Sequence, residues 1–128
     1  AERRYRAALQ GRPDYPEALS NLGLTLIRQK KYDEVATNLL AALKARPDFA
    51  DALNNLGTVR YYQGQHAEAA RCFGRALELS PDNLIYAVNT GDALARIGQK
   101  QLAAECYAHA LQLQPDNPKV RAKLEAVK

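Results

Sequence analysis

Apolar positions along this chain recur at helical intervals and are interrupted at regular places, a pattern that predicts short helices in pairs. In residues 50–83, Leu53 and Leu56 lie on one face ahead of a break at Gln63 and Gly64. Glycine at that break suits the left-handed conformation that ends a helix. Beyond it, Ala69, Phe73, Ala76 and Leu77 stand at i, i+4, i+7 and i+8, the stripe of a second amphipathic helix. Pro81 stops that helix because proline lacks the N–H that the next turn needs. The unit is therefore a helix, a short turn and a second helix.

The same unit repeats. Pro13, Pro47, Pro81 and Pro115 stand 34 residues apart, each followed by an aspartate, and Gly23, Gly57 and Gly91 keep the same interval. Ala8, Ala42, Ala76 and Ala110 do so too, as do Leu9, Leu43, Leu77 and Leu111. Residues 16–49, 50–83 and 84–117 then form three full units. Residues 1–15 read as the second helix of a preceding unit, and 118–128 as a closing helix with Val120, Leu124 and Val127 inward. A repeat of this period calls for an array in which each unit buries its apolar face on its neighbours. Gly57 and Ala76 are the small residues that let Phe73 lie between two helices.

These positions resemble the tetratricopeptide repeat family. In the middle unit the resemblance is carried by Leu53, Leu56-Gly57, Ala69, Phe73, Ala76 and Pro81. In the first unit it is carried by Leu19, Leu22-Gly23, Val35, Leu39, Ala42 and Pro47, and in the third by Ala87, Thr90-Gly91, Ala103, Tyr107, Ala110 and Pro115. The chain departs from the family pattern in having no tryptophan, in Arg60 where tyrosine is frequent, and in Ala87 and Thr90 where leucines are. The resemblance spans the whole chain and extends to the repeats of the O-linked N-acetylglucosamine transferase and of bacterial tetratricopeptide proteins. It implies an all-α fold, a right-handed superhelical array of helix-turn-helix units, with a concave groove that binds protein or peptide partners.

Composition narrows the function classes. No run of eighteen apolar residues exists to span a membrane. The formal charge of +4 collects at residues 1–15 and 118–128 and is absent from 50–117, whereas a nucleic-acid surface would continue along the array. No nucleic-acid partner is expected, and Arg60-Tyr61-Tyr62, which does not recur, reads as one packed tyrosine beside one that faces the groove. Cys72 and Cys106 read as small apolar fillers compatible with a reducing, cytoplasmic setting. His66 and His109 sit in no metal-binding spacing, and neither a phosphate loop nor a nucleophile elbow is present. Catalysis and cofactors are not expected.

One recurrence is not explained by packing. Asn21, Asn55 and Asn89 precede Leu22, Leu56 and Thr90, and so fall at the edge of the packed face of each first helix. An asparagine amide carries donors and an acceptor and can pair with the N–H and C=O of any peptide. Three in phase resemble the asparagine ladder of the O-linked N-acetylglucosamine transferase; the other reading is repeat consensus without a ligand. The same helical phase puts Arg28, Asn54, Thr58, Tyr62, Asp92, Arg96, Lys119 and Lys123 in the groove, beside Ile85 and Val88. The family's carboxylate clamp is matched poorly. Its first possible register keeps only Asn55, and its second keeps Asn89 with Lys119 and Lys123. Chaperone-tail recognition is not expected, although the two lysines suit an acidic group.

The sequence therefore predicts a non-catalytic protein-interaction module that takes an extended peptide or a partner helix. Two other readings stand beside it: the substrate-selecting arm of a larger enzyme such as a glycosyltransferase or kinase, and a scaffold that self-associates through Tyr5, Ala8 and Leu9 at its open N-terminal end.

Overall fold

The computed structural model describes residues 31–128, which form six α-helices. They are α1 (Tyr32–Ala45), α2 (Ala50–Tyr62), α3 (His66–Leu79), α4 (Leu84–Arg96), α5 (Lys100–Leu113) and α6 (Pro118–Val127). Among the described residues, helices adjacent in sequence pack on one another, which makes an all-α helical-repeat solenoid. Asn21, Arg28, Gly23 and the N-terminal residues 1–15, with Tyr5, Ala8 and Leu9, lie outside the described residues.

The two kinds of helix end differently, for reasons visible in their residues. After α2 and α4 the chain turns through Gly64 (φ 82°) and Gly98 (φ 81°), where a side chain would be strained. Gln65 N–H then donates to the Arg60 carbonyl at 2.8 Å, and Gln99 N–H to Leu94 at 2.9 Å, so the last turns keep their acceptors satisfied. After α1, α3 and α5 the stop is Pro47, Pro81 or Pro115. Two of the next helices start on asparagine caps: Asn83 Oδ1 accepts from Tyr86 N–H at 3.0 Å and Asn117 Oδ1 from Val120 N–H at 3.1 Å. Recurrence of asparagine at 83 and 117 is thus a capping signal, unlike the recurrence at 55 and 89 inside the helices.

Among the described residues, the core lies between the helices in three clusters. Val35, Leu39 and Ala42 of α1 pack with Ala52, Leu56 and Val59 of α2. Ala69, Ala70 and Phe73 of α3 meet Ala93 of α4. Ala87, Ala103, Tyr107 and Ala110 close on Val120 of α6. Small residues set the spacing, as the repeat pattern anticipates. A Cβ built on Gly57 would stand 2.6 Å from Phe73 Cδ1, and one on Gly91 would stand 2.6 Å from Tyr107 Cε1. The aromatic rings occupy the space that these glycines leave.

Candidate functional site

The first helices of successive units, α2, α4 and α6, form one open face carrying two hollows. The first, of about 260 Å³, is lined by Thr58, Tyr61, Tyr62, Phe73, Asn89 and Asp92. The second, of about 280 Å³, is lined by Leu84, Ile85, Val88, Asn89, Asn117, Lys119, Val120 and Lys123. Asn89 lines both. The helical phase of Thr58, Tyr62, Asn89, Asp92, Lys119 and Lys123, legible in the sequence, brings them to this face.

Each first helix is tied across the face to the next. Tyr86 of α4 donates its hydroxyl to Asp51 of α2. Asn89 Nδ2 donates to Asn54 Oδ1 at 2.9 Å. Lys123 Nζ of α6 donates to both oxygens of Asp92, at 2.9 and 2.8 Å. Asp92 also accepts from the Tyr107 hydroxyl at 2.6 Å. Thr58, which lines the first hollow, turns its hydroxyl back to the Asn54 carbonyl at 3.1 Å.

Asparagine placement corrects one expectation. Asn55, one repeat before Asn89, is only 6% exposed and lies within the packed side of α2, so it does not offer an open amide to the face. Its neighbour Asn54 is the residue that meets Asn89. The amide feature in the described residues is therefore a pair across two helices rather than a column of equivalent positions. An Asn–Asn pair joined by one hydrogen bond still carries an amide N–H donor and a carbonyl acceptor for a third group. Tyr62 is 61% exposed and stands edge-on to Tyr61 at 5.9 Å between ring centres. Tyr61 is packed at 4.6 Å against the His66 ring, and the exposed Arg96 guanidinium lies 5.9 Å from its centre.

Burial sets the acid–base character of the site. It pushes the Tyr86 and Tyr107 phenols well above their ordinary range, and their hydrogen bonds to Asp51 and Asp92 push in the same direction. Both phenols are thereby held as donors. Sequence reasoning placed Asp92 and Lys123 on this face but missed that they pair. Nothing within a single helix shows a partner 31 residues away; the signal is that positions 92, 107 and 123 together become Asp, Tyr and Lys where one repeat earlier they are Thr58, Phe73 and Asn89.

Among the described residues no group of histidine, cysteine and carboxylate side chains is arranged to hold a metal ion, and no helix is long and apolar enough to cross a membrane. The sequence matches the tetratricopeptide repeat family over residues 1–36 and 54–118. The chain belongs to that family, whose repeats are protein-interaction modules and generally carry no catalysis of their own. Among solved structures it is similar to MamA, with a TM-score of 0.90 at 19% identity over 98% of this chain and 74% of that one. The first tetratricopeptide domain of Spaghetti (RPAP3), bound to the HSP90 peptide SRMEEVD, gives 0.83 at 20% identity over 88% of this chain and 89% of that one. The Arabidopsis OM64 tetratricopeptide domain gives 0.81 at 18% identity, covering 88% and 93%. At these identities the likeness is one of fold. No curated protein matches the chain.

Proposed function

We propose that this chain binds an extended peptide segment of a protein partner along the face of α2, α4 and α6. The observation that carries the reading is Asn89, which lines both hollows and is joined to Asn54 at 2.9 Å. An extended chain sends alternate side chains to the same side, so that successive ones enter successive hollows while the backbone between them meets the asparagine pair. The first hollow offers Tyr61, Tyr62 and Phe73 as apolar walls, and the second offers Ile85 and Val88. Tyr62 and Ile85, each 61% exposed, are large apolar surfaces for a ligand to cover. Exposed Arg96, beside Tyr61, and exposed Lys119, on the second hollow, act on selectivity. By repeat register alone the proposed groove extends to Arg28 and Asn21, which lie outside the described residues. A peptide-bound tetratricopeptide domain of the same fold supports the reading in general form.

The test is selection of displayed random nine-residue peptides on the wild type, followed by affinity measurements on the Asn54→Ala/Asn89→Ala variant with helicity monitored. Losing two peptide hydrogen bonds is expected to weaken binding about tenfold, with the helical signal unchanged. Equal affinity of the variant would remove the asparagine pair from the account.

A further inference from the structure

Among the described residues, the Asp92–Lys123 contact belongs to one joint of the array. At the preceding joint the equivalent residues are Thr58, Phe73 and Asn89, all uncharged, and that joint closes equally well. Phe73 is 4% exposed and Tyr107 2%, and each ring lies at the same 2.6 Å from the Cβ position of its facing glycine. The fold therefore does not need the ion pair, and an explanation has to come from the face on which it stands.

Each of the two charges belongs to a different hollow. Asp92 lines the first, beside the tyrosines, and Lys123 lines the second, beside Ile85 and Val88. Alone, a carboxylate next to aromatic walls would receive a cationic ligand side chain, and an ammonium on an apolar hollow would receive a carboxylate. Held at 2.8 Å from one another, they satisfy each other instead. A charged ligand group competes with that contact and gains the full charge of one partner only by drawing it away from the other, although Asp92 keeps the Tyr107 hydroxyl.

We propose that Asp92 and Lys123 are a charge gate between the two hollows, which disfavours charged ligand side chains at the register of Asn89 and so sets the groove's preference for uncharged residues there. This inference rests on the peptide-binding reading of the same face. Its core is reciprocity: removing either charge exposes the other. Asp92→Asn keeps an acceptor for the Tyr107 hydroxyl, so the joint retains its packing while Lys123 is released. Lys123→Gln removes the charge with a shorter, still polar side chain and releases Asp92.

The experiment is selection of displayed random nine-residue peptides on four proteins: wild type, Asp92→Asn, Lys123→Gln, and Glu105→Gln as a charge change on an exposed position of α5. Relative to the wild type, peptides selected on Asp92→Asn are expected to be enriched about two- to fivefold in Asp and Glu, and those on Lys123→Gln to a similar degree in Lys and Arg, the range set by a partly exposed ion pair. Glu105→Gln should match the wild type. Unchanged charge composition in both groove variants overturns the gate and leaves the peptide groove standing. A shift in Glu105→Gln equal to that in Asp92→Asn also overturns it, since net charge would then be the cause. Failure of all four proteins to select any peptide overturns the gate together with the groove reading.

Discussion

The joint between α2 and α3 and the joint between α4 and α5 are built on one plan and finished differently. In the first, Phe73 fills the space beside Gly57 and faces Thr58. In the second, Tyr107 fills the space beside Gly91, and its hydroxyl reaches Asp92, which holds Lys123 of the next helix. Geometry at the glycines is the same, so packing is common to both joints. The polar chain is an addition to the second joint, and it links three helices on the open face. Packing residues recur because every unit needs them, whereas residues that break the recurrence mark what a particular unit does.

Substitution at the glycines should have the largest effect. Gly57→Leu and Gly91→Leu each overpack a buried ring, at a cost of about 1–3 kcal/mol. Gly91→Leu is expected to cost the more of the two, because Tyr107 is anchored by its hydroxyl as well as enclosed, and Phe73 is only enclosed. Urea unfolding midpoints measure both; equal losses would mean that the anchor adds no rigidity. Next in size is Tyr107→Phe, which makes the second joint resemble the first and removes one hydrogen bond to a carboxylate that Lys123 still holds, for a loss of about 1.5 kcal/mol. Phe73→Tyr, the converse change, gains no carboxylate partner because threonine stands at 58, whose hydroxyl oxygen is only a neutral acceptor. It should not stabilise.

Alkaline pH separates the same two joints. The folded state holds the Tyr107 and Tyr86 phenols protonated above their ordinary value of 10.0, so the unfolded chain loses those protons first. Their contribution is complete below about pH 10 and is lost as pH rises above it. Wild type should therefore lose stability above that point, and Tyr107→Phe should flatten the loss. An unchanged alkaline slope in the variant would remove Tyr107 from the cause. The smallest effect concerns the equivalent thiols of α3 and α5. Burial, and then Glu68 for Cys72 and Glu105 for Cys106, push both above the ordinary thiol value. Thiol-reactive reagents at neutral pH should modify both slowly in the native protein and quickly in denaturant; one fast native thiol would show a joint that opens.

Much of this was legible in the chain itself. The 34-residue spacing of Pro47, Pro81 and Pro115, with Gly57 and Gly91 between them, predicts the helix pairs and the close ring contacts, since a missing Cβ and a missing N–H act locally. The phase of Thr58, Tyr62, Asn89, Asp92, Lys119 and Lys123 was readable for the same reason. Side-chain partners were not, because Asn54 and Asn89, or Asp92 and Lys123, meet across helices brought together only by stacking. Asn55 shows the limit most clearly. It holds the same repeat position as Asn89, yet it is enclosed, since burial depends on the helix stacked against it.

The central claim is that ligand lies on the face of α2, α4 and α6. Amide chemical-shift mapping with a peptide selected on the wild type tests it most directly. The account predicts perturbations gathered at Thr58, Tyr62, Asn89, Lys119 and Lys123, with little change at Leu40 of α1 and Leu102 of α5, two exposed leucines outside both hollows. Perturbations gathered at Leu40 or Leu102, with Asn89 unmoved, would contradict it.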